Sequence, residues 1–394
     1  MPRYRLRAPL RSSTLILFYV QHLLGIGHIR RTISIARECL AQGLSAEVVS
    51  GGVPVSSAAD AQVRLHQLEP LKSADLSFSR VVDRDGEPLN ATLEKIRKDK
   101  LLEIFHEARP GGLVTELFPF GRRRFRFELV PLLEAAYAAK IPIFCSVRDS
   151  VQRRSAEREM ETISWLRRYY DRVLVHGEET FLSLNNSFNE TAEIADLLTY
   201  TGFVDTAPKT QVVQVKGSAK TQPEVLVSAG GGSAGASLYL AAAQASALSR
   251  YPEVPWRILA GTSPDPEFVR LLRQTGGENL TVEANRPDFR DLLMRCRLSV
   301  SQAGYNSVVD LFTSGAPALL SPFTGEGGET EQPARAEQLR AVGRAEVMPQ
   351  ADLQGPVLAT RVDALLDSGP ERFTPAGCDG AEQSAKALKD YLST

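Results

Sequence analysis

Glycine-containing turns that follow strands and precede helices are the residues of this sequence best suited to chemistry. The first turn, Gly25-Ile26-Gly27-His28, comes after the apolar run Thr14–Val20. A dinucleotide-binding turn needs glycine at the position of Arg30, so that fingerprint fails. Gly27 still exposes backbone amides at a helix N-terminus, where His28 can act as a base with a pKa biased by the helix dipole. The alternative is that His28 caps or packs the helix.

The second turn is the run Gly230-Gly231-Gly232-Ser233-Ala234-Gly235, between a predicted strand, Val225–Ala229, and an alanine-rich helix. Glycines let the backbone approach a phosphate closely, and the helix N-terminus and Ser233 supply donors and positive potential. It is not a Walker loop, because no Gly-Lys-Ser/Thr follows. We expect a phosphate-binding loop here, and the alternative is a flexible turn.

The third turn again joins a predicted strand to a helix, with Gly304 between them. It gathers four polar side chains around a second cluster of backbone amides: Ser301, Gln302, Asn306 and Ser307. Asp310 follows in the helix and could accept hydrogen bonds from a ribose diol, as acids do in other nucleotide folds. The alternative for Asp310 is a solvated helix face.

The fourth segment, Thr324–Gln332, follows a strand and carries glycines, carboxylates and an amide. Glu331 and Gln332 open the next helix. Carboxylate and amide groups suit sugar hydroxyls, which both donate and accept hydrogen bonds. The alternative is a flexible polar loop.

The elements that must position these turns form two α/β halves. Strands alternate with helices of ten or more residues in each half, which predicts parallel sheets covered on both faces. We therefore predict two doubly wound, Rossmann-like domains facing across a cleft, with ligands at the carboxyl ends of the strands. The predicted boundaries are 1–204 and 224–380 for the domains, 205–223 for a linker, and 381–394 for a helix that packs back on the N-terminal domain.

Composition excludes several classes of function. The chain has 394 residues, and 46 Lys plus Arg against 47 Asp plus Glu leave a net charge of −1, so no nucleic-acid partner is expected. The four cysteines are scattered, which fits a reducing cytoplasm, and the five histidines lack metal-ligand spacing. Gly-x-Ser-x-Gly is absent, so a hydrolase elbow has no support. The run Leu15–Val20 is too short for a membrane span and predicts a first strand rather than a signal peptide.

Five motifs in order resemble the GT-B glycosyltransferases, and among them the lipid II-forming N-acetylglucosaminyltransferases of peptidoglycan synthesis. They are Gly27-His28, Gly232–Ala236, Ser301-Gln302-Ala303-Gly304, Gly315-Ala316-Pro317 and Glu331-Gln332. The resemblance spans nearly the whole chain and is firmest over 225–343. It implies GT-B architecture, with an acceptor-binding N-terminal domain and a nucleotide-sugar-binding C-terminal domain.

The resemblance also implies roles for single residues. His28 matches the catalytic-loop histidine, and Ser233, Ala234 and Gly235 match the diphosphate loop. Arg286 falls near the segment whose backbone contacts the uracil edge. Asp310 falls where the family has a ribose-binding glutamate. Glu331 and Gln332 fall on paired glutamines that contact donor-sugar hydroxyls.

This sequence departs from the family at two places. His22-Leu23-Leu24 replaces a glycine-richer first loop, and Glu331 replaces a glutamine, which leaves the donor sugar open. The amino half also carries a segment with no counterpart in the lipid-acceptor enzymes, Thr115–Arg124. Within it Glu116 is a second candidate base, and Arg122, Arg123 and Arg124 could hold an anionic acceptor or form a solvated helix start.

The function implied is an inverting, metal-independent glycosyltransferase that uses a nucleotide-diphosphate sugar, UDP-GlcNAc or another UDP-hexose, as co-substrate and has no permanent cofactor. Its partners would be that donor and a small-molecule, lipid or glycan acceptor, with an anionic acceptor as one option. It would lie in the cytoplasm or peripherally at the inner face of the membrane. The alternatives are a nucleotide-sugar 2-epimerase or hydrolase of the same fold, or a non-catalytic sugar-nucleotide-binding protein. A dehydrogenase is disfavoured by the failed dinucleotide fingerprint.

Overall fold

The computed structural model describes residues 14–23, 25–55, 62–74, 80–207, 223–229, 235–325 and 328–393. The chain divides into two compact units, one of Met1–Thr206 with Asp379–Thr394 and the other of Ala207–Cys378. Most of the polar segment predicted as a linker, 208–222, lies outside the described residues.

The described part of the first unit contains a seven-stranded parallel sheet in the order β3-β2-β1-β6-β7-β8-β9. A separate antiparallel pair, β4 and β5, lies between β3 and β6 in the chain. The strands are β1 Leu15–Val20, β2 Ser45–Ser50, β3 Arg64–Gln67, β4 Lys72–Ser73, β5 Val81–Val82, β6 Gly112–Glu116, β7 Ile143–Arg148, β8 Arg172–His176 and β9 Leu198–Tyr200.

Helices cover both faces of this sheet, which is why β1 is apolar at successive positions. The helices are α1 Gly27–Ala41, α2 Ala91–Ala108, α3 Arg126–Ala138 and α4 Ala156–Tyr169. Because successive side chains of a strand point to opposite faces, Leu17 and Tyr19 join the core formed with α2 and α3. Phe18 and Val20 join the core formed with α1.

The second unit contains a six-stranded parallel sheet in the order β12-β11-β10-β13-β14-β15 among its described residues. The strands are β10 Val225–Ser228, β11 Trp256–Leu259, β12 Leu280–Glu283, β13 Leu298–Ser301, β14 Ala318–Leu320 and β15 Glu346–Val347. The helices are α5 Ala236–Leu248, α6 Pro266–Thr275, α7 Phe289–Arg295, α8 Tyr305–Ser314, α9 Glu331–Ala341 and α10 Gly355–Ser368. Ala242, Trp256 and Leu358 lie in its core.

The last helix, α11 (Gly380–Leu392), belongs to the first unit. Its apolar side chains Ala385 and Leu388 are buried in the core formed with α1. Lys389 Nζ donates to the carbonyl oxygen of Gln42 at 2.7 Å, and the hydroxyl of Tyr391 donates to Asp171 at 3.0 Å. The chain therefore returns to its first unit at its end.

The predicted elements largely form where the sequence placed them. The predicted strands Thr14–Val20 and Val225–Ala229 form as β1 and β10, each one residue shorter than predicted. Helix α10 was not predicted, although Leu358, Val362 and Leu366 recur every four residues and Pro356 opens the helix. The strands β3, β4, β5, β9 and β15 were also missed, because segments of two to four residues are too short to show a periodicity.

Candidate functional site

Each sheet reverses its strand order at one place, between β1 and β6 in the first unit and between β10 and β13 in the second. In open parallel sheets, ligands bind outside the carboxyl ends of the strands at such a reversal. The first turn, with His28, follows β1, and Glu116 ends β6. The second and third turns follow β10 and β13. The strand order therefore places the predicted residues of each unit at its expected binding edge.

In the first unit, His28 and Glu116 are joined although they are 88 residues apart in the sequence. His28 lies in the first turn of α1, and its Nδ1 is 2.8 Å from Oε1 of Glu116. Because an ionised carboxylate only accepts hydrogen bonds, the shorter contact to Glu116 places the hydrogen on Nδ1 and leaves the lone pair on Nε2. Nη2 of Arg31 lies 3.3 Å from the same Nδ1 and is then a contact without a hydrogen bond to it. Nε2 has no hydrogen-bond partner among the residues that the structure describes. The carboxylate thus holds the imidazole in the tautomer that a general base needs.

Arg31, one helical turn after His28, contacts the same oxygen of Glu116. Glu116 and Arg31 are both almost fully buried. Burial alone would raise the pKa of Glu116, but His28, Arg31 and Arg122 outweigh it and hold that pKa well below its usual range. Glu116 is therefore an ionised partner of His28, which is a different role from the independent base suggested by the sequence.

Burial lowers the pKa of His28 to about 4, although Glu116 opposes the shift. The positive charges of Arg122 and Arg148 act in the same direction as burial. The imidazole is therefore neutral near pH 7 and can accept a proton. If it does, the adjacent carboxylate stabilises the imidazolium that forms.

A second histidine, His176, lies close to this pair and was not singled out from the sequence. It is fully buried at the end of β8, with Nε2 at 2.7 Å from the Ser146 hydroxyl and Nδ1 at 2.9 Å from the Thr201 hydroxyl. Ser384 of α11 is 3.4 Å from Nδ1. Burial lowers the pKa of His176 to about 3, and Arg31 lowers it further. This neutral ring connects α11 to the side of the sheet that carries Glu116.

The three consecutive arginines do not form one basic patch. Arg122 donates from Nε to the carbonyl oxygen of Gln21 at 2.6 Å. Arg123 pairs with Glu161, and Arg124 lies 3.7 Å from Glu94. Their side chains diverge because the chain turns through a short 3₁₀ segment, Arg123–Phe125, in which neighbouring residues face different directions.

In the second unit, the predicted residues Gly231, Gly232, Ser233 and Ala234 lie outside the described residues. Gly235 is described and precedes α5. A Cβ added to Gly235 would lie 2.5 Å from Cβ of Ala229 and 2.8 Å from the Tyr239 ring, so only glycine fits. The Tyr239 hydroxyl accepts from the backbone N–H of Ala229 at 3.1 Å, which fixes the start of the loop.

The third turn carries polar groups that the protein leaves unsatisfied. Ser301 and Gln302 are buried where β13 ends. The hydroxyls of Ser301 and Ser321 are buried without a hydrogen-bond partner in the described part of the chain. A Cβ at Gly304 would meet only the Ser307 hydroxyl, at 3.8 Å, so the backbone before α8 is open to close approach. Asn306 and Ser307 are half-buried in the first turn of α8.

Two predicted residues are held by ion pairs. Arg290 donates from Nε to Oδ1 of Asp310 at 2.9 Å, so Asp310 is not a simple solvated face. Arg286 donates from Nε and Nη2 to the two carboxylate oxygens of Asp288 at 2.8 and 2.7 Å, and these hydrogen bonds raise the pKa of Arg286. Its side chain is thus occupied, while its backbone lies in the loop after β12.

Glu331 and Gln332 begin α9, as predicted, and Glu329 caps that helix by accepting from their backbone N–H groups at 2.6 and 3.2 Å. Oε1 of Gln332 accepts from the backbone N–H of Phe323 at 3.1 Å. Oε2 of Glu331 accepts from Nη2 of the buried Arg335 at 3.0 Å. The carboxylate at 331 is therefore balanced by an arginine that the sequence analysis did not single out.

Comparisons with known proteins first concern the C-terminal part of the chain. Residues 226–391 match the glycosyltransferase family 28 C-terminal domain. A UDP-N-acetylglucosamine--N-acetylmuramyl-(pentapeptide) pyrophosphoryl-undecaprenol N-acetylglucosamine transferase of Rhodospirillum centenum is 33% identical over 149 residues, which is 32% of this chain and 39% of that protein. The protein of the same name from Paramagnetospirillum magneticum is 32% identical over 169 residues, covering 41% and 45%. The chain thus spans less than half the length of these relatives.

Solved structures match over almost the whole chain. The glycotransferase of kitacinnamycin has a TM-score of 0.60 at 17% identity and covers 98% of this chain and 95% of its own. MurG of Acinetobacter baumannii has a TM-score of 0.55 at 17% identity, with coverages of 96% and 99%. The chain has the GT-B fold. The predicted fold class and the resemblance to the lipid II-forming transferases are therefore confirmed.

Within this GT-B fold, the residues missed by the sequence analysis are Arg31, Arg148, His176 and Arg335. Arg31 follows His28 by three residues and so shares its helix face, which is a signal that could have paired them. Arg148 and His176 end their strands at the edge that carries Glu116. No group of three or more His, Cys, Asp or Glu side chains in the described ranges is placed to hold a metal ion. No helix there is long and apolar enough to cross a membrane.

Proposed function

We propose that the protein is a glycosyltransferase that moves a sugar from a nucleotide-diphosphate donor, UDP-GlcNAc or another UDP-hexose, to an acceptor hydroxyl. The observation that carries the proposal is the contact between half-buried His28 and buried Glu116 at the strand-order reversal of the first unit. It occurs in a GT-B chain whose residues 226–391 match a glycosyltransferase domain. Acceptor activation is thereby assigned to the first unit and donor binding to the second.

The acceptor half of the reaction needs a base. Nε2 of neutral His28 accepts the proton of the acceptor hydroxyl as its oxygen attacks the anomeric carbon of the donor sugar. The positive charge that develops on the imidazole is stabilised by ionised Glu116, which also fixes the ring through Nδ1. Attack opposite the departing diphosphate inverts the configuration at the anomeric carbon.

The donor half needs groups that stabilise negative charge on the departing diphosphate. Gly231, Gly232, Ser233, Ala234 and Gly235 supply backbone amides and the N-terminus of α5. The second set, before and within the first turn of α8, is Ser301, Gln302, Gly304, Asn306 and Ser307. Preorganised N–H groups at helix N-termini stabilise such charge without a metal. The open backbone at Gly304 supports this assignment.

Other residues of the second unit select the nucleotide and the sugar. Asp310 binds the ribose diol, and the backbone near Arg286 contacts the uracil edge. Glu331 and Gln332 contact sugar hydroxyls. The negative charge of Glu331 is balanced by Arg335. Its carboxylate can accept hydrogen bonds from sugar hydroxyls, whereas a glutamine amide could also donate.

The acceptor is a small molecule, a lipid or a glycan, with no nucleic-acid partner. Residues 1–204 form the acceptor-binding part and 224–380 the nucleotide-sugar-binding part, joined by 205–223. We place the protein in the cytoplasm, with peripheral contact at the inner face of the membrane where the acceptor is a lipid.

The test combines a donor panel with a variant of the base. UDP-, GDP- and TDP-sugars are titrated calorimetrically, and the donor that binds is incubated with hydroxyl acceptors while sugar addition is followed by mass spectrometry. We expect UDP-sugar binding, chelator-resistant transfer with an inverted anomeric centre, and loss of transfer but not of UDP binding in His28→Ala. UDP release or epimer formation without acceptor would identify the hydrolase or epimerase instead.

A further inference from the structure

Arg122 is an arginine whose charge the protein leaves largely uncompensated. Its backbone adopts the left-handed region, at φ 58°, which side-chain-bearing residues rarely occupy. Its Nε donates to the carbonyl oxygen of Gln21 at 2.6 Å. Nη1 and Nη2 have no hydrogen-bond partner, and no carboxylate lies within 4 Å of them, among the described residues. The hydrogen bond from Nε thus fixes the guanidinium, while Nη1 and Nη2 make no hydrogen bond to the described residues.

The charges around Arg122 make this arrangement costly. Glu116 is the opposite charge near it, but that carboxylate already serves His28 and Arg31. Burial lowers the pKa of Arg122, and the charges of Arg148 and Arg31 lower it further. His22 is buried, and burial lowers its pKa too, so it adds no further positive charge. The half-buried guanidinium of Arg122 therefore has positive neighbours and no carboxylate of its own among the described residues.

Other arginines buried in the protein have one. Arg97 donates to both oxygens of Glu128, at 3.0 and 2.7 Å. Arg335 pairs with Glu331, and Arg31 contacts Glu116. Buried charges are normally paired in this way, because an unpaired one loses its hydration without replacement. Arg122 is half-buried, and within the described ranges its terminal nitrogens have no such carboxylate, at the strand edge where a ligand of the first unit is expected.

We propose that the Nη1–Nη2 edge of Arg122 binds an anionic group of the acceptor, a carboxylate or a phosphate, close to the hydroxyl that His28 activates. Two parallel N–H groups match the two oxygens of either anion. Arg122 donates to Gln21 directly after β1, and His28 contacts Glu116 at the end of β6, so both side chains lie at the same edge of two paired strands. The acceptor class is then a hydroxy acid or a phosphorylated alcohol. The link to His28 rests on the proposed function, but anion binding by Arg122 does not.

The experiment measures anion binding to the full chain. UDP is added to saturation to occupy the donor loops, and inorganic phosphate and malonate are then titrated calorimetrically, so that the two arms separate phosphate from carboxylate. Arg122→Met is compared with Arg124→Met, a matched control whose side chain is 61% exposed. We expect one or both anions to bind the native protein, about tenfold or more weaker binding in Arg122→Met, as for loss of a charged hydrogen-bond partner, and no change in the control.

Equal binding to native protein and Arg122→Met, or no binding of either anion to the native protein, would overturn the subsite. If Arg122→Met does not fold, modification of native Arg122 by phenylglyoxal is mapped by mass spectrometry. Protection of Arg122 by phosphate or malonate supports the proposal, and equal modification with and without anion overturns it. UDP titration on the same samples tests the proposed donor function separately from the anion site. If UDP does not bind but an anion still binds through Arg122, the donor function is refuted and the anion site stands.

Discussion

Replacing Glu116 with glutamine removes one charge and preserves the shape of the side chain. Oε1 of Glu116 lies 2.8 Å from Nδ1 of His28 and is also contacted by Arg31. Oε2 is buried with no partner in the described ranges of the chain. A glutamine can therefore keep its carbonyl oxygen toward His28 and place its NH₂ group where Oε2 lies. The substitution tests the charge at position 116 more than the hydrogen bond.

The expected magnitude follows from the charge that His28 gains in the transition state. Two unit charges about 4 Å apart interact by about 4 kcal/mol at an effective dielectric constant near 20. Arg31 contacts the same carboxylate and offsets part of this attraction, which leaves on the order of 3 kcal/mol. At about 1.4 kcal/mol for each factor of ten, kcat/KM should fall by about 10²- to 10³-fold.

The assay is sugar transfer at saturating donor, with UDP affinity measured on the same samples. UDP affinity should not change, because the donor loops belong to the other unit. Glu161→Gln is the control, since its carboxylate pairs with Arg123 instead.

Native kcat/KM should fall on the acid side near pH 4, where His28 becomes protonated. Because Glu116 raises the pKa of His28, this fall should move to lower pH in Glu116→Gln. Undiminished transfer in Glu116→Gln would refute the role of the pair.

Three further expectations concern stability and the donor loop. Burial lowers the pKa of His176 from 6.5 to about 3 in the folded protein. Below about pH 6.5 the unfolded chain therefore binds a proton that the folded protein does not, and the folded state loses stability as pH falls. The urea midpoint should drop from pH 7 to pH 5, less steeply in His176→Gln; equal slopes would contradict this. Gly235→Ala places a Cβ 2.8 Å from the Tyr239 ring and should cost about 1–3 kcal/mol, lowering Tm and UDP affinity together; an unchanged UDP titration would count against it. Arg335→Met removes the guanidinium that donates to buried Glu331, so the free energy of unfolding in urea should fall by about 3 kcal/mol. Adding Glu331→Gln should restore part of that stability. An unchanged free energy of unfolding in Arg335→Met would exclude a stabilising pair.

Local pattern was sufficient for most of the fold. An apolar strand such as β1 and an amphipathic helix such as α1 carry their pattern within one segment, so they could be predicted without tertiary information. Edge strands such as β3 and β15 could not, because they are stabilised by pairing with a neighbouring strand more than by their own side chains. Their few residues show no pattern of burial.

The candidate site divides in the same way. Glycine turns and their polar neighbours could be read from the sequence because each lies within a few residues of one strand end. Partners from distant strands, such as Glu116 for His28, could not be read in this way. Arg335 follows Glu331 by four residues on α9, so helix spacing could have suggested that pair, but not that Arg335 is buried. The arginines at 122–124 looked like one patch, yet their side chains diverge.

By itself, the sequence determined the alternation of strands and helices and the residue types at the strand ends. The tertiary structure alone decided that Glu116 would be the partner of His28, because the strand order places β6 beside β1 and brings residues 88 positions apart within hydrogen-bond distance. It also decided their charges, since the pKa of each group depends on burial and on Arg31, Arg122 and Arg148. These charges come together only when separate strand ends meet at one edge of the sheet.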